Sequence, residues 1–247
     1  MIRPALRSRS GLVLLLAGAL LGGLAGRSAV CRADEPLRVH MLSGANEYDS
    51  EASLTKLKQH LESRYQVTCT ISPGHDGCRE FPGLEALDQA DVLLVFCRRT
   101  KPNQAQLNKI QVWCEEGRPV VGIRTASHAF QNWLEFDKVV LGGAYSGHYG
   151  GTASVKVTPA EGARKHPILD GVDAWTRPGK LYKNPDLADD VTLLLSGRSD
   201  RAAEPLAWCR AYGPEDRGRS FYTSMGLPGD FEDEKFLKLV GNAVFWT

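Results

Sequence analysis

Pro119-Val120-Val121-Gly122-Ile123-Arg124-Thr125-Ala126-Ser127-His128 runs from an apolar strand straight into a polar helix start, with no loop between them. So abrupt a junction delivers side chains to the carboxyl edge of a sheet, where open α/β proteins keep their binding sites. Enzymes that use such a turn for covalent chemistry place Ser or Cys at its apex; here Arg124 stands there, with Thr125 next. Arginine is no nucleophile at neutral pH, but its guanidinium fixes anions and carbonyl oxygens. Two readings of Arg124 stand side by side, a ligand-holding group and a salt-bridging residue at a strand end. Ser127 and His128 belong either to a site or to the helix start, with Ser127 as its N-cap.

Upstream of that junction the chain alternates. Leu37 to Leu42 is an apolar run opening onto Ser43-Gly44-Ala45-Asn46, and Leu54, Leu57, Leu61 and Tyr65 then recur at helical spacing. Gln66 to Ile71 reads as a second strand and Asp91 to Phe96 as a third, whose almost unbroken apolar run predicts cover on both faces. Asn103 to Glu116 repeats the helical pattern and stops at Gly117 before the strand Val120 to Arg124. Strands alternating with helices predict a parallel sheet built from right-handed crossovers.

Downstream the rhythm changes. A glycine-rich loop over Gly142 to Gly151 leads to a strand at Ala153 to Thr158 and an irregular section through Lys183. Three strands without intervening helices follow, Val191 to Ser196, Pro205 to Arg210 and Gly218 to Thr223, and predict an antiparallel extension. A helix from Phe231 to Phe245, capped by Asp230, closes the domain.

At the other end, Arg3, Arg7 and Arg9 precede the apolar run Gly11 to Ala25 and a small-residue exit at Cys31-Arg32-Ala33. That is the pattern of a secretory signal peptide. The expectation is a leader over residues 1–33, export to the periplasm or beyond, and a single domain over residues 34–247. The run is shorter than the roughly 20 residues of a spanning helix and is broken by glycines, so no stable membrane anchor is expected after cleavage. The whole chain balances 30 Lys and Arg against 29 Asp and Glu. Loss of Arg3, Arg7, Arg9, Arg27 and Arg32, with no acid, leaves a slightly acidic domain without the electrostatic footprint of a nucleic-acid binder. Of six cysteines, Cys31 leaves with the leader. Cys69 and Cys78 bracket a polar loop and could pair, while Cys97, Cys114 and Cys209 sit in apolar patterns as buried thiols.

Chemistry is concentrated in a few loops. Glycines at 142, 143, 147, 150 and 151 frame Tyr145, His148 and Tyr149, a composition that lets backbone approach a ligand while aromatic and imidazole groups face it. The loop lacks GxGxxG spacing, so no dinucleotide and no other cofactor is expected. His166 heads the turn His166-Pro167-Ile168, where it either bonds backbone or reaches a site. No His-x-x-x-His spacing accompanies His128, His148 and His166, and no metal is expected. Asn46 and Tyr48 follow the first strand and would share the carboxyl edge with Arg124 in a doubly wound order.

These pieces in this order resemble the ThuA-like (trehalose-utilisation) family, whose domain looks like a class I glutamine amidotransferase fold. The resemblance rests on Val121 to His128, the Gly142-Gly143 to His148 loop, and the His166-Pro167-Ile168 turn with Gly171. It continues through Leu181-Tyr182, the strand Gly218 to Gly226, and the closing Ala243-Val244-Phe245-Trp246. It implies a flavodoxin-like, three-layer α/β domain, mostly parallel with an antiparallel extension, and an association with carbohydrate metabolism. The chain departs from the family pattern in having Arg124 and Leu227 where many relatives carry His, and Gly179-Lys180 where an acid pair often stands. With no Cys at the turn, glutamine hydrolysis is not expected.

Two function classes follow. One is an exported enzyme acting on a sugar or oxidised (keto) sugar by hydrolysis or isomerisation, with His128 or His148 as acid or base and Arg124 holding a developing oxyanion. Asn46, Tyr48, Thr125, Ser127, Tyr145, Tyr149, His166 and Tyr182 would then bind substrate. The other is a non-catalytic module on the same fold that holds a glycan or a partner protein. A small-molecule carbohydrate is the expected partner in the first case, and the sequence leaves room for an oligomer.

Overall fold

The apolar runs form the centre of the molecule. In the computed structural model, which describes residues 35–247 apart from the side chain of Ala153, five strands are parallel: β1 (Leu37–Gly44), β2 (Val67–Ser72), β3 (Val92–Cys97), β4 (Val120–Ile123) and β9 (Gly218–Thr223). The leader expected over residues 1–33 lies outside the described residues. Four strands extend the sheet antiparallel beyond β9: β8 (Ala203–Tyr212), β7 (Thr192–Arg198), β5 (Thr152–Pro159) and β6 (Trp175–Gly179). The order across the sheet is β2-β1-β3-β4-β9-β8-β7-β5-β6, so the parallel half has the flavodoxin-like order with β9 in fifth place.

Both faces are covered, which makes three layers. Alternate residues of β3 point to opposite cores: Val92, Leu94 and Phe96 to one, Leu93, Val95 and Cys97 to the other. The first core is closed by α1 (Ser50–Arg64) through Leu54, Leu57 and Leu61, and by α3 (Glu234–Trp246) through Phe236, Leu239 and Val240. The second is closed by α2 (Gln104–Glu115), capped by Asn103 and contributing Ile110, Trp113 and Cys114. No described helix is long and apolar enough to cross a membrane.

Four expectations are corrected. Gly218–Thr223 belongs to the parallel core as well as the extension, because it pairs with β4 on one side and β8 on the other. The section before Lys183 contains β6, whose Pro and Gly concealed it. The closing helix starts at Glu234 with Asp233 as its cap, whose carboxylate accepts from Lys235 N. Asp230 instead lies in a 3₁₀ turn and is spent on other donors. Finally, Cys69 and Cys78 are free thiols in different cores on opposite faces of the sheet, and so cannot pair. Cys97, Cys114 and Cys209 are buried thiols, as their apolar settings predict.

Candidate functional site

At the end of β4 the chain does not continue as a regular helix. Arg124 takes a left-handed conformation, φ 46°, and residues Arg124–His128 form a 3₁₀ turn. A non-glycine residue there costs of order 1 kcal/mol or more and persists only where its surroundings hold it. Two groups do so: Tyr222 Oη donates to the Arg124 carbonyl at 2.7 Å, and Ser127 Oγ donates to the same oxygen at 3.3 Å. Ser127 is therefore a brace within the turn rather than a helix N-cap. From the neighbouring strand end, Gly226 approaches so closely that a Cβ on it would lie 2.7 Å from Ile123 Cγ2 and 3.2 Å from Arg124 Cβ. Its turn is fixed by Asp230, whose Oδ2 accepts from Gly226 N (2.7 Å) and Leu227 N (2.8 Å) and whose carboxylate pairs with buried Arg177.

This backbone drives the Arg124 side chain inward, to zero exposure. Nη1 donates to Ser224 O at 2.7 Å, while Nε and Nη2 have no partner. The guanidinium lies between two rings, with Cζ 4.5 Å from the Tyr48 centroid and 4.6 Å from that of Tyr182. Burial opposes its charge, but the Tyr182 and Tyr48 hydroxyls outweigh that effect and its pKa stands above the ordinary value. Among the described residues no carboxylate forms an ion pair with it. Desolvation of such a charge costs several kcal/mol even after relaxation, whereas a desolvated cation–π contact returns roughly 2 kcal/mol. The salt-bridge reading of Arg124 thus has no partner to support it.

Around this centre lies an aromatic and imidazole shell. The His128 ring stacks on Tyr145, centroids 4.5 Å apart and 18° from parallel, and Tyr145 lies 4.6 Å from Tyr182. Burial pushes His128 down to about 4, assisted by Arg99, Arg98 and Arg124, so the imidazole is neutral at pH 7. Ser127 Oγ stands 3.1 Å from His128 Nδ1. When Ser127 gives its hydrogen to the Arg124 carbonyl, Nδ1 donates and Nε2 is the unprotonated nitrogen; when Ser127 gives it to Nδ1, the two nitrogens exchange roles. His148 joins from outside: it bridges to Tyr182 through the backbone, its ring 6.4 Å from the Tyr182 ring.

The loop that carries Tyr145 and His148 is stitched to the segment after β6 by Ser146 N to Lys183 O (3.0 Å), Lys183 N to Gly147 O (2.9 Å) and Tyr149 N to Leu181 O (2.9 Å). Beneath it, Asp137 opens a single π-helical turn, Asp137–Leu141, and its Oδ2 accepts from Tyr145 N at 2.9 Å. Burial raises that carboxyl to about 6, and its Oδ1 has no partner.

The structure thus gathers Tyr48, Arg124, His128, Tyr145, His148 and Tyr182 at the carboxyl edge, braced by Ser127. Thr125 is buried beside Arg124 with its hydroxyl unpartnered. Asn46 lies at the rim, exchanging hydrogen bonds with Asp76 (Asn46 N to Oδ1 3.0 Å, Asp76 N to Asn46 Oδ1 2.8 Å). Tyr149 faces Lys183, whose Nζ is 4.8 Å from its ring centroid, rather than Arg124. His166 is not part of this group. It sits beyond the far end of β5, where Nδ1 accepts from Ile168 N at 3.2 Å and the ring packs on Trp246. A cleft of about 610 Å³ opens there, beside Arg219 at the start of β9, at the opposite edge of the sheet. No group of three or more His, Cys, Asp or Glu among the described residues is placed to hold a metal ion. Asp137, Arg98 and Arg99 escaped the sequence reading: nothing in the pattern ties Asp137 to the loop above it, and a strand-end arginine pair reads as solvated charge.

The family model described as trehalose utilisation, ThuA, matches residues 38–247. The chain belongs to the ThuA family. Among solved structures it is similar to a ThuA-like protein from Parabacteroides merdae, with a TM-score of 0.66 and 19% identity, covering 86% of this chain and 90% of that one. A ThuA-like protein from Bacteroides uniformis aligns with a TM-score of 0.63 and 20% identity, covering 86% and 92%. At that identity the likeness shows the fold, the same mixed sheet with a parallel core and an antiparallel extension. No curated protein matches the chain in sequence.

Proposed function

We propose that this ThuA family member is an exported carbohydrate-active protein that acts on a sugar or an oxidised (keto) sugar by acid–base chemistry at the Arg124–His128 site. The observation that carries the reading is the neutral His128 imidazole packed on Tyr145 beside a buried guanidinium. A base of this kind removes a proton from a carbon next to a carbonyl, and a cation nearby stabilises the enediolate oxygen that forms. Tyr145 supplies a flat face for the sugar ring, and His148 at the rim is placed to return the proton to a neighbouring carbon or to a leaving oxygen. Because Arg124 is closed off by Tyr48 and Tyr182, substrate enters as the Tyr145 loop moves outward.

The same closure favours the second reading, a non-catalytic module that holds a glycan or a protein partner on its rim. Incubation with trehalose and its keto derivatives in D₂O, followed by NMR, separates the two. Deuterium exchange next to the carbonyl, lost in His128→Gln, is expected; binding without exchange or product for any of these sugars leaves only the module.

A further inference from the structure

Two other arginines of this domain, half-exposed Arg38 and buried Arg177, show what one edge of a guanidinium does when it finds a carboxylate. Arg38 turns Nε and Nη2 to the two oxygens of Asp91, at 3.1 and 3.0 Å. Arg177 turns the same edge to the two oxygens of Asp230, with Nε at 2.5 Å. In Arg124 it is this edge, Nε and Nη2, that has no partner, although Arg124 is the most deeply buried of the three. The geometry of that edge matches a carboxylate or phosphate bidentately.

The charges facing the site leave it positive. Arg98, after β3, pairs with Asp76 at 2.6 Å and Glu47 at 3.4 Å, so the two acids nearest the rim are already engaged. Arg99 is exposed beside His128, giving its backbone N–H to the His128 carbonyl at 2.9 Å. Asp137 approaches from below, but its carboxylate meets the Tyr145 backbone rather than the guanidinium. The imidazole of His128 adds no positive charge at neutral pH, since burial and the three arginines disfavour its protonated form. An anion arriving at Arg124 therefore meets two unmatched cations and a stacking face, and no opposing acid in contact.

We propose that the sugar taken by this site carries an anionic group, a carboxylate or a phosphate, gripped by Nε and Nη2 of Arg124. The proposal rests on the carbohydrate reading above and narrows its substrate class. Arg99 steers the anion inward, and Tyr182 and Tyr48 hold the guanidinium plane so that its open edge is set before the ligand arrives. The glycine-framed loop is the door, since Gly147 (φ 129°) has open space where a side chain would be and the loop lays Tyr145 onto His128 and Tyr182, with His148 beside Tyr182.

Calorimetric titration of the full domain with glucose, glucuronate, glucose 6-phosphate, acetate and inorganic phosphate tests it. Glucuronate or glucose 6-phosphate is expected to bind at least about tenfold more tightly than glucose, and the better of the two identifies the anion. Arg124→Met, close in length but uncharged, is expected to remove that preference. Arg124→Lys, which keeps charge but not the fork, is expected to retain it with roughly tenfold weaker binding. If Arg124→Met does not fold, loss of the bidentate fork in Arg124→Lys carries the test alone. Glucose bound as tightly as the charged sugars would overturn the anion site and leave the carbohydrate reading standing. Acetate or phosphate bound through Arg124 with no gain from a sugar ring would do the reverse. No binding by any of the five would overturn both.

Discussion

Tyr222 gives its hydroxyl hydrogen to the carbonyl oxygen of Arg124 across 2.7 Å, joining the carboxyl end of β9 to the left-handed residue that follows β4. Both groups are fully buried, so neither can exchange this bond for water.

Tyr222→Phe removes that donor and keeps the ring. With Ser127 Oγ still reaching the same carbonyl, the expected loss of stability is about 1 kcal/mol, read as a lower urea midpoint at unchanged slope. A larger change is expected in function, because the turn that aims Arg124 is loosened. Tyr222→Phe with unaltered ligand affinity would show that the turn holds itself.

Stability should fall as the medium is acidified from about pH 6.5 towards 4. His40 lies fully buried between Thr70 Oγ1 (2.7 Å from Nδ1) and Ser72 Oγ (3.1 Å from Nε2), and burial pushes it down to about 4. His128 is depressed to a similar value by burial and its arginine neighbours. Below the unfolded pKa the unfolded chain takes up protons that the folded chain refuses, so stability is lost until the folded pKa is reached. For His40 the loss approaches about 3 kcal/mol. A pH series of urea unfolding curves, compared with His40→Gln, should show a shallower slope in the variant across that window.

Asp137 titrates with the opposite sign. Its folded pKa, about 6, lies above the ordinary carboxylate value, so between about pH 4 and 6 the folded state holds a proton that the unfolded state releases; stability is lost as the pH rises through that window, and the loss is complete above it. Asp137→Asn keeps an oxygen for Tyr145 N. It is expected to stabilise the domain by about 1–3 kcal/mol at pH 7.5 and by little at pH 4. Equal thermal midpoints at pH 7.5 would contradict this account.

Asp230→Ala should be the most damaging of these changes. It strands the buried Arg177 guanidinium and releases the Gly226 and Leu227 amides together, and breaking a buried pair in this way costs about 3–5 kcal/mol. Since Gly226 packs on Arg124 Cβ, surviving protein should also bind ligand poorly. Replacing both partners, Arg177→Met with Asp230→Leu, should recover part of the stability but not the turn, measurable as a gap between melting temperature and affinity.

Much of this molecule is legible from local pattern. Alternation of apolar runs and helical spacing identifies β1 to β4, α1 and α2, and the abrupt junction at Ile123-Arg124 marks the edge where the site lies, because those signals follow from side-chain direction within one element. The start of α3 lies at Glu234, capped by Asp233, because Asp230 is engaged instead by Arg177, a residue far away in sequence. β6 was hidden because Pro and Gly in a strand carry no local signature when the strand lies at a sheet edge.

The amino-acid sequence by itself determined the α/β alternation, the family and the presence of arginine at the apex of the β4 turn. Only the tertiary structure decided that this arginine has no acid to pair with, that Tyr48 and Tyr182 enclose it, and that His166 stands at the opposite edge. The reason is physical: periodicity reports which face of an element is apolar, whereas the partner of a buried charge depends on which distant strand ends the sheet order brings together.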